Sequence, residues 1–534
     1  MKKKYSSKDL SHHGIVSVVC NQIGIVELID ELIPPDPKMQ VTTGECVKLM
    51  IINGLGFTSR PLYLESQFFS SKPIRRLLER KIKPEEITDD RLGRCLDSCY
   101  ANQCDFIFSS IATRACRRFN VDQRFRHLDT TSMSVHGEYE DGIGLIDFGY
   151  SKDYRFDLKQ FVLSLMVSCD GNVPLLAKAI GGNQSDKTHF KEVLQQLKEQ
   201  VDEREVSYFV ADSALYTKDT IQTISEGMLW ITRVPEVVKQ AKMLIQSTAL
   251  TQDGGEGHSF EEVESTYGSV KQRWLVVLSE KAREREIKTL KKKITREKEE
   301  YTKTSRALCS QEFQCEKDAL SAVDRFEKAL KYHQCKRIVS EHKKKSGKGR
   351  PSKQNPSRTV YRVQVILEED SEAIEEEKAT KGKFIIATND LDRTRLSSQD
   401  LLGHYKEQQC VERGFRFLKD PLFMTSSVFL KNEERIVALS MIMCLCLLVY
   451  MLAQRLLRHQ LLQKQKSVLS QTGKSTQRPT IRWIFQVFDG IHLLLVGEPD
   501  GPGSHEIVIN LTPEREKILE ILGSEFQAMY ADVA

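Results

Sequence analysis

The stretch HYKEQQCVERGFRFLKDP, His404 to Pro421, gathers the residue types that phosphoryl chemistry needs. Its spacing predicts a helix, and at about 100° per residue it sets Tyr405, Gln408, Glu412, Arg416 and Lys419 within roughly an 80° arc. Val411, Phe415 and Leu418 fall beside that stripe as an apolar face, whereas Glu407 points well away. A carboxylate flanked by a phenol, an amide and cations suits metal-assisted phosphoryl transfer, the acid holding a divalent ion while Lys or Arg neutralises a phosphate. The same pattern also describes a solvated helix face.

Two further carboxylates stand where such a site could use them. FRHLDTTSMSVHG, Phe125 to Gly137, is rich in β-branched and small residues, and strand alternation puts Asp129, Thr131 and Met133 on one face. Val206 to Ala211 is a continuous apolar run ending in Asp212, the mark of a buried strand with an acid at its carboxyl edge. Magnesium prefers hard oxygen ligands converging from different elements, which Asp129, Asp212 and Glu412 could supply together. Taken singly, a strand-ending aspartate is a common turn or cap residue.

The elements that must position these acids follow from periodicity. Residues 1–120 read as mostly helical, with segments Gly24 to Ile33 and Gly44 to Phe57 separated by the breaker PPDP. Basic residues recur there at Arg60, Arg75, Arg76, Arg80, Lys81 and Lys83, a pattern for phosphate contact or for solvated helix faces. After the strand holding Asp129, FVLSLMVS and VPLLAKAI extend it to three antiparallel strands. A helix over His189 to Val201, the buried strand, a helix over Thr217 to Glu226 and a strand over Leu229 to Arg233 complete a mixed α/β unit.

For about 160 residues the pattern then departs from that core. Strands are expected at Arg273 to Leu278, Tyr361 to Leu367 and Gly382 to Asp390. Between them Ile287, Leu290, Ile294, Tyr301 and Leu308 keep a helical seam, and Leu320, Val323, Phe326 and Leu330 a second, so a helical hairpin in a β-rich insertion is the expectation. His342 to Arg358 reads as a basic Gly/Pro/Ser linker. Ile481 to Val496 reads as a late apolar strand or helix pair, and Thr512 caps a last helix with Pro513 at its first position.

Composition narrows the class. The 534 residues suffice for two to four domains, and 40% apolar with 29% charged residues is ordinary for a globular protein. A formal charge of +5 falls short of a dedicated nucleic-acid module, so DNA contact must come from local clusters. Thirteen cysteines lack a CxxC pair, and Cys95, Cys99 and Cys104 have no histidines at zinc spacing, so they read as buried or free thiols in a reducing cytoplasm. Met1 to Lys4 is basic but followed by polar YSSKDLSHHG, not the apolar core of a secretion signal. The run Val437 to Ala453 only reaches the lower limit of a membrane span, and its place after the glutamate helix favours a core helix against a sheet.

These motifs carry a resemblance. Tyrosine, two residues, arginine, three residues, glutamate, six residues, lysine is the signature of a branch of bacterial insertion-sequence DDE transposases. Tyr405, Glu412 and Lys419 stand at those spacings, with Gln408 where the family has arginine. Asp129 in HLDTTS, Asp212 in FVADSALYT, GYSKDYRFDLKQF (Gly149 to Phe161), GGNQSDKTHF (Gly181 to Phe190) and PTIRWIFQVF are similar as well. The resemblance implies an RNase H-like mixed sheet with a β-rich and helical insertion before the glutamate, preceded by an all-helical N-terminal domain. It implies a helical, DNA-binding domain over 1–120, catalytic core over 121–234 and 401–460, insertion over 235–400 and a C-terminal region over 461–534. It further implies two Mg²⁺ (or Mn²⁺) ions on Asp129, Asp212 and Glu412, and DNA contacts from Tyr405, Gln408, Arg416 and Lys419. The implied partners are double-stranded DNA, at element ends and target, and a second copy in a synaptic homodimer, with no membrane and a cytoplasmic, nucleoid-associated location. Two other readings stand beside it: a host metal-dependent nuclease on the same fold, and a non-catalytic, transposase-derived DNA-binding or coiled-coil assembly protein.

Overall fold

The computed structural model describes residues 5–57, 65–139, 143–183, 206–345, 357–420, 430, 432–497 and 505–533. The chain forms two compact units, one of Met1–Thr232, Gly268–Val270 and Gly403–Ala534, the other of Arg233–Tyr267 and Lys271–Leu402. Both are mixtures of helix and sheet, so the fold is mixed α/β.

The first unit is built on the apolar run noted in the sequence. Asn432 caps it, its side chain accepting from Glu434 N–H at 2.8 Å and Arg435 N–H at 3.2 Å, and the helix runs from Glu433 to Gln463. From Ala438 to Ala453 every residue is buried, so that stretch is apolar on every side. Helices His13–Ile23, Thr43–Gly54, Asp89–Ala101 and Cys104–Phe119 pack on it, as does the strand Pro174–Gly181. The helix is long and apolar enough to cross a membrane, yet it is buried within the protein, as a core helix is. Arg435 fixes its start by a bidentate pair with Asp97, at 2.7 and 2.8 Å.

Among the packed helices, Thr43–Gly54 begins with a reciprocal cap. Glu45 N–H donates to Thr42 Oγ1 at 3.1 Å, and Thr42 N–H to Glu45 Oε2 at 2.8 Å. The N-terminal region is not all helical, however. A strand β1, Tyr5–Asp9, pairs antiparallel with His492–Val496, which pairs in turn with His505–Ile509. YSSKD has no apolar alternation, so this strand exists through its partner alone. Two of the expected basic contacts are also used internally: Arg76 Nη2 lies 3.0 Å from Glu506, and Arg80 Nη1 lies 2.7 Å from Glu45. Arg60 lies outside the described residues.

The sheet of this unit comprises β2 (Phe125–Val135), β3 (Lys159–Ser168), β4 (Pro174–Gly181), β5 (Tyr208–Ala211) and β6 (Leu229–Val234), in the order β4-β3-β2-β5-β6. β2, β3 and β4 are antiparallel, whereas β5 joins β2 and β6 joins β5 in parallel. The helix expected over His189 to Val201 lies outside the described residues. Ile481 to Val496 resolves into a helix, Ile481–Val487, and a strand, His492–Val496.

In the second unit, Lys383–Thr388, Val270–Ser279, His258–Tyr267 and Gln252–Gly255 lie side by side in a sheet. Helices Glu280–Ser310 and Glu316–Lys328 follow the two apolar seams, with Leu290, Ile294, Val323 and Phe326 buried. A two-stranded ribbon pairs His333–Lys345 with Ser357–Glu369, so strand continues into both ends of the expected linker; residues 346–356 lie outside the described set.

Candidate active site

The two aspartates are set by adjacent parallel strands. β2 and β5 pair with Phe125 beside Tyr208, Arg126 beside Phe209 and His127 beside Val210. Asp129 lies within β2 two residues past the last paired position, and Asp212 lies two residues past its partner, just beyond the end of β5. Asp212 is the first residue past β5 and caps a short turn, its side chain accepting from Ala214 N–H at 2.9 Å. Asp129 accepts from Thr130 N–H at 2.7 Å, and Lys152 Nζ stands 3.9 Å from its Oδ1. The same ammonium donates to Thr130 O at 2.7 Å and Thr130 Oγ1 at 3.0 Å, which holds it at the strand edge. Sequence reasoning noted the GYSKDYRFDLKQF stretch but gave Lys152 no role; a lysine in a loop carries no spacing signal.

Glu412 comes from a helix, Gln409–Leu418, that packs on β2 and β3. Gly414 permits the approach: a Cβ there would lie 3.0 Å from Leu165 Cδ2 and 3.2 Å from Leu447 Cδ2. Leu165 is the register partner of Asp129, and directly opposed residues project from the same face. The glutamate helix therefore covers the face from which Asp129 projects. Glu412 and Arg416, one turn apart, are exposed and have no hydrogen-bond or ion-pair partner among the described residues.

The uninterrupted helix expected over His404 to Pro421 is broken. One helix, Ser398–Lys406, ends before Glu407, and the next begins at Gln409. Between them Gln408 N–H donates to Tyr405 O at 3.1 Å, Cys410 N–H to Glu407 O at 2.8 Å and Val411 N–H to Gln408 O at 3.2 Å, each three residues back. Tyr405 and Glu412 therefore do not share one continuous helix. Tyr405 thus belongs to the preceding helix, Gln408 stands at the start of the next, and Lys419 at its end pairs with Asp153. Pro421 lies outside the described residues.

Asp129, Asp212 and Glu412 do not form a set of ligand atoms within 4.8 Å of one another. Among the described residues the set that does is His127, Cys169 and Glu407. The second set was not read from sequence, because Glu407 points away from Glu412 on an ideal helix and Cys169 has no neighbouring cysteine or histidine in the chain. The signal was the alternation His127, Asp129, which puts both on one face of β2. Burial lowers His127 to a pKa of about 4 and raises that of Cys169, while the hydrogen bond from His404 holds the Glu407 carboxyl below its ordinary value.

Residues 121–449, more than half of the chain, match a family described as "Transposase DDE domain". The chain belongs to this DDE transposase family. Asp129, Asp212 and Glu412 of the transposase all fall within the matched span. Residues 5–113 match a second family, described as "Domain of unknown function (DUF4277)". Among solved structures, the cryo-EM structure of a piggyBac transposase synaptic complex with hairpin DNA is similar, with a TM-score of 0.38 at 7% identity over 89% of this transposase and 80% of that chain. No curated protein sequence matches the chain.

Proposed function

We propose that this transposase cuts and joins double-stranded DNA at insertion-sequence ends by in-line phosphoryl transfer, with Asp129, Asp212 and Glu412 as ligands for two divalent ions, Mg²⁺ or Mn²⁺. The observation that supports the reading is the parallel pairing of β2 with β5, which brings the strand of Asp129 alongside the strand that Asp212 follows, with the helix of Glu412 packed on β2. The donor set fits: three carboxylates supply the hard oxygen that Mg²⁺ prefers, and Glu412 is not engaged by any described side chain. Ions bound there would supply a more acidic water and neutralise charge developing on the leaving oxygen. The protein's own part is to hold the three acids on rigid elements and to bring cations to the phosphate. Arg416 lies one turn from Glu412, has no partner among the described residues and would take a phosphate oxygen, and Lys419 would exchange Asp153 for the same purpose. Gln408 would donate a neutral hydrogen bond, and Tyr405 would contact the DNA backbone from the preceding helix.

The order of three antiparallel strands followed by two parallel ones supports an RNase H-like core, and the unit of Arg233–Tyr267 and Lys271–Leu402 supports an insertion before the glutamate. By resemblance the enzyme is bacterial, works at the nucleoid as a synaptic homodimer, and uses its N-terminal residues for DNA recognition.

The test is cleavage of a labelled element end by the full chain. Asp129→Asn, Asp212→Asn and Glu412→Gln should each lower Mg²⁺-dependent cleavage by roughly a thousandfold or more while changing end binding little, because affinity rests mostly on phosphate contacts elsewhere. Cleavage at the parental rate by Asp212→Asn sinks the assignment. Binding without cleavage by the parent under every divalent ion favours the non-catalytic reading.

A further inference from the structure

We propose that His127, Cys169 and Glu407, with His404 beside them, form a second cation site, separate from the three carboxylates, that takes one divalent ion of the zinc class. Donors converge there from β2 (His127), the turn after β3 (Cys169), the end of the helix Ser398–Lys406 (His404) and the break that follows it (Glu407). One ligand atom from each of His127, Cys169 and Glu407 lies within 4.8 Å of the others. His404 Nδ1 is 3.0 Å from Glu407 Oε2 and 4.0 Å from Cys169 Sγ. Tetrahedral zinc, with bonds of about 2.0–2.3 Å, needs donors roughly 3.3–3.8 Å apart, so small side-chain rotations close the shell.

An independent observation points to a ligand. His127 is fully buried, and among the described residues neither of its ring nitrogens has a hydrogen-bond partner. The cluster's own hydrogen bonds do not relieve this, since the Cys169 thiol donates to Glu407 and His404 shares the same carboxylate oxygen. A cation accepting a nitrogen lone pair from His127 satisfies it. The ring of His404 is stacked on Phe125 with centroids 3.4 Å apart, and Phe125 on Tyr208 at 4.9 Å, so an aromatic stack fixes the orientation of a ligand imidazole.

Donor chemistry selects the ion. Thiolate and imidazole nitrogen favour Zn²⁺ or Co²⁺, whereas the oxygen-only set at Asp129, Asp212 and Glu412 suits Mg²⁺. Binding replaces the Cys169 S–H bond with a sulfur–metal bond and releases the proton to solvent. The ion would pin the break that starts the glutamate helix to the strand carrying Asp129.

The test uses the full chain, stripped with a chelator and titrated with Co²⁺ alone. The expected result is saturable binding of one equivalent, with a thiolate-to-cobalt charge-transfer band and tetrahedral ligand-field bands, displaced by Zn²⁺ and untouched by excess Mg²⁺. Cys169→Ser should lose the charge-transfer band, and His127→Asn or Glu407→Gln should weaken Co²⁺ binding at least tenfold. Asp129→Asn and Glu412→Gln should keep the full spectrum even where they do not cut DNA, which separates this site from the proposed catalytic one. Absence of the band in the folded parent overturns the proposal without reference to any variant. So does a band that survives Cys169→Ser, which would trace to another thiol such as the exposed Cys315.

Discussion

Gln408 stands where the related signature has arginine, and its place in the fold decides what the change does. It is the last residue before the glutamate helix, inside the tightened turn, so its side chain leaves the chain one turn before Glu412. An arginine there adds a permanent charge and a forked donor, both absent from an amide. A charge-assisted contact is worth about 1.5–3 kcal/mol, or roughly ten- to a hundredfold in rate when it tightens in the transition state. Gln408→Arg should therefore raise single-turnover cleavage of a pre-bound end by about tenfold or more, with end affinity little changed. Equal rates for parent and variant would mark Gln408 as neutral. The placement of single residues was legible where local pattern is strong, as at Asp212, where an apolar run that forms β5 stops on an acid. Lys152, His127 and Cys169 were not, because their significance lies in neighbours brought by pairing of β2 with β3 and β5.

At the scale of elements, the glutamate helix is seated by a glycine. Its Cβ-less position faces side-chain ends, Leu165 Cδ2 and Leu447 Cδ2, that can yield a few tenths of an ångström. Gly414→Ala thus sets a gain in helix propensity of about 1 kcal/mol against tight packing, and the two nearly cancel. Gly414→Val has no such balance: overpacking of about 1–3 kcal/mol must lift the helix from β3 and carry Glu412 with it. The expected outcome is a lower melting temperature for Gly414→Val but not Gly414→Ala, with DNA cleavage reduced in the former and end binding retained. Unchanged cleavage in Gly414→Val would show that the seating does not set Glu412. The core strands were legible because alternation and apolar runs are local signals. The break at Glu407 was not: HYKEQQCVERG holds no proline, and its one glycine lies beyond the break, so the rewinding answers to the Glu407 contacts with Cys169 and His404. β1 escaped for the same reason, being a polar segment made a strand by a partner at the other end of the chain.

The first unit as a whole is closed by its termini. The Tyr530 hydroxyl, buried, donates to Ser11 O at 2.5 Å and accepts from Ile15 N–H at 3.3 Å, while Arg76 donates to Ala531 O at 2.8 Å. Tyr530→Phe leaves a buried carbonyl unsatisfied and should cost about 1–3 kcal/mol. Because residues 5–119 and the C-terminal segment share one core, that loss should lower the unfolding midpoint of the whole unit. Chemical denaturation followed by the N-terminal and C-terminal ends separately checks this; two midpoints, with only the C-terminal one shifted, would contradict it. The sequence indicated N-terminal helices but not this closure, since contacts spanning five hundred residues leave no local trace.

The reliance of the N-terminal helices on Glu433–Gln463 has a consequence for synthesis. When Phe119 leaves the ribosome, the helix that completes their core is still roughly 340 residues from being made, a delay of about 20 to 70 seconds at about 5–20 residues per second. Throughout that interval the apolar faces of His13–Ile23, Thr43–Gly54 and Asp89–Ala101 have no permanent cover. Nascent chains stalled before residue 433 should be cut readily within residues 13–119 by added protease, and chains released after residue 533 should resist it. Translation itself thus delays the moment at which a newly made molecule can close its first unit.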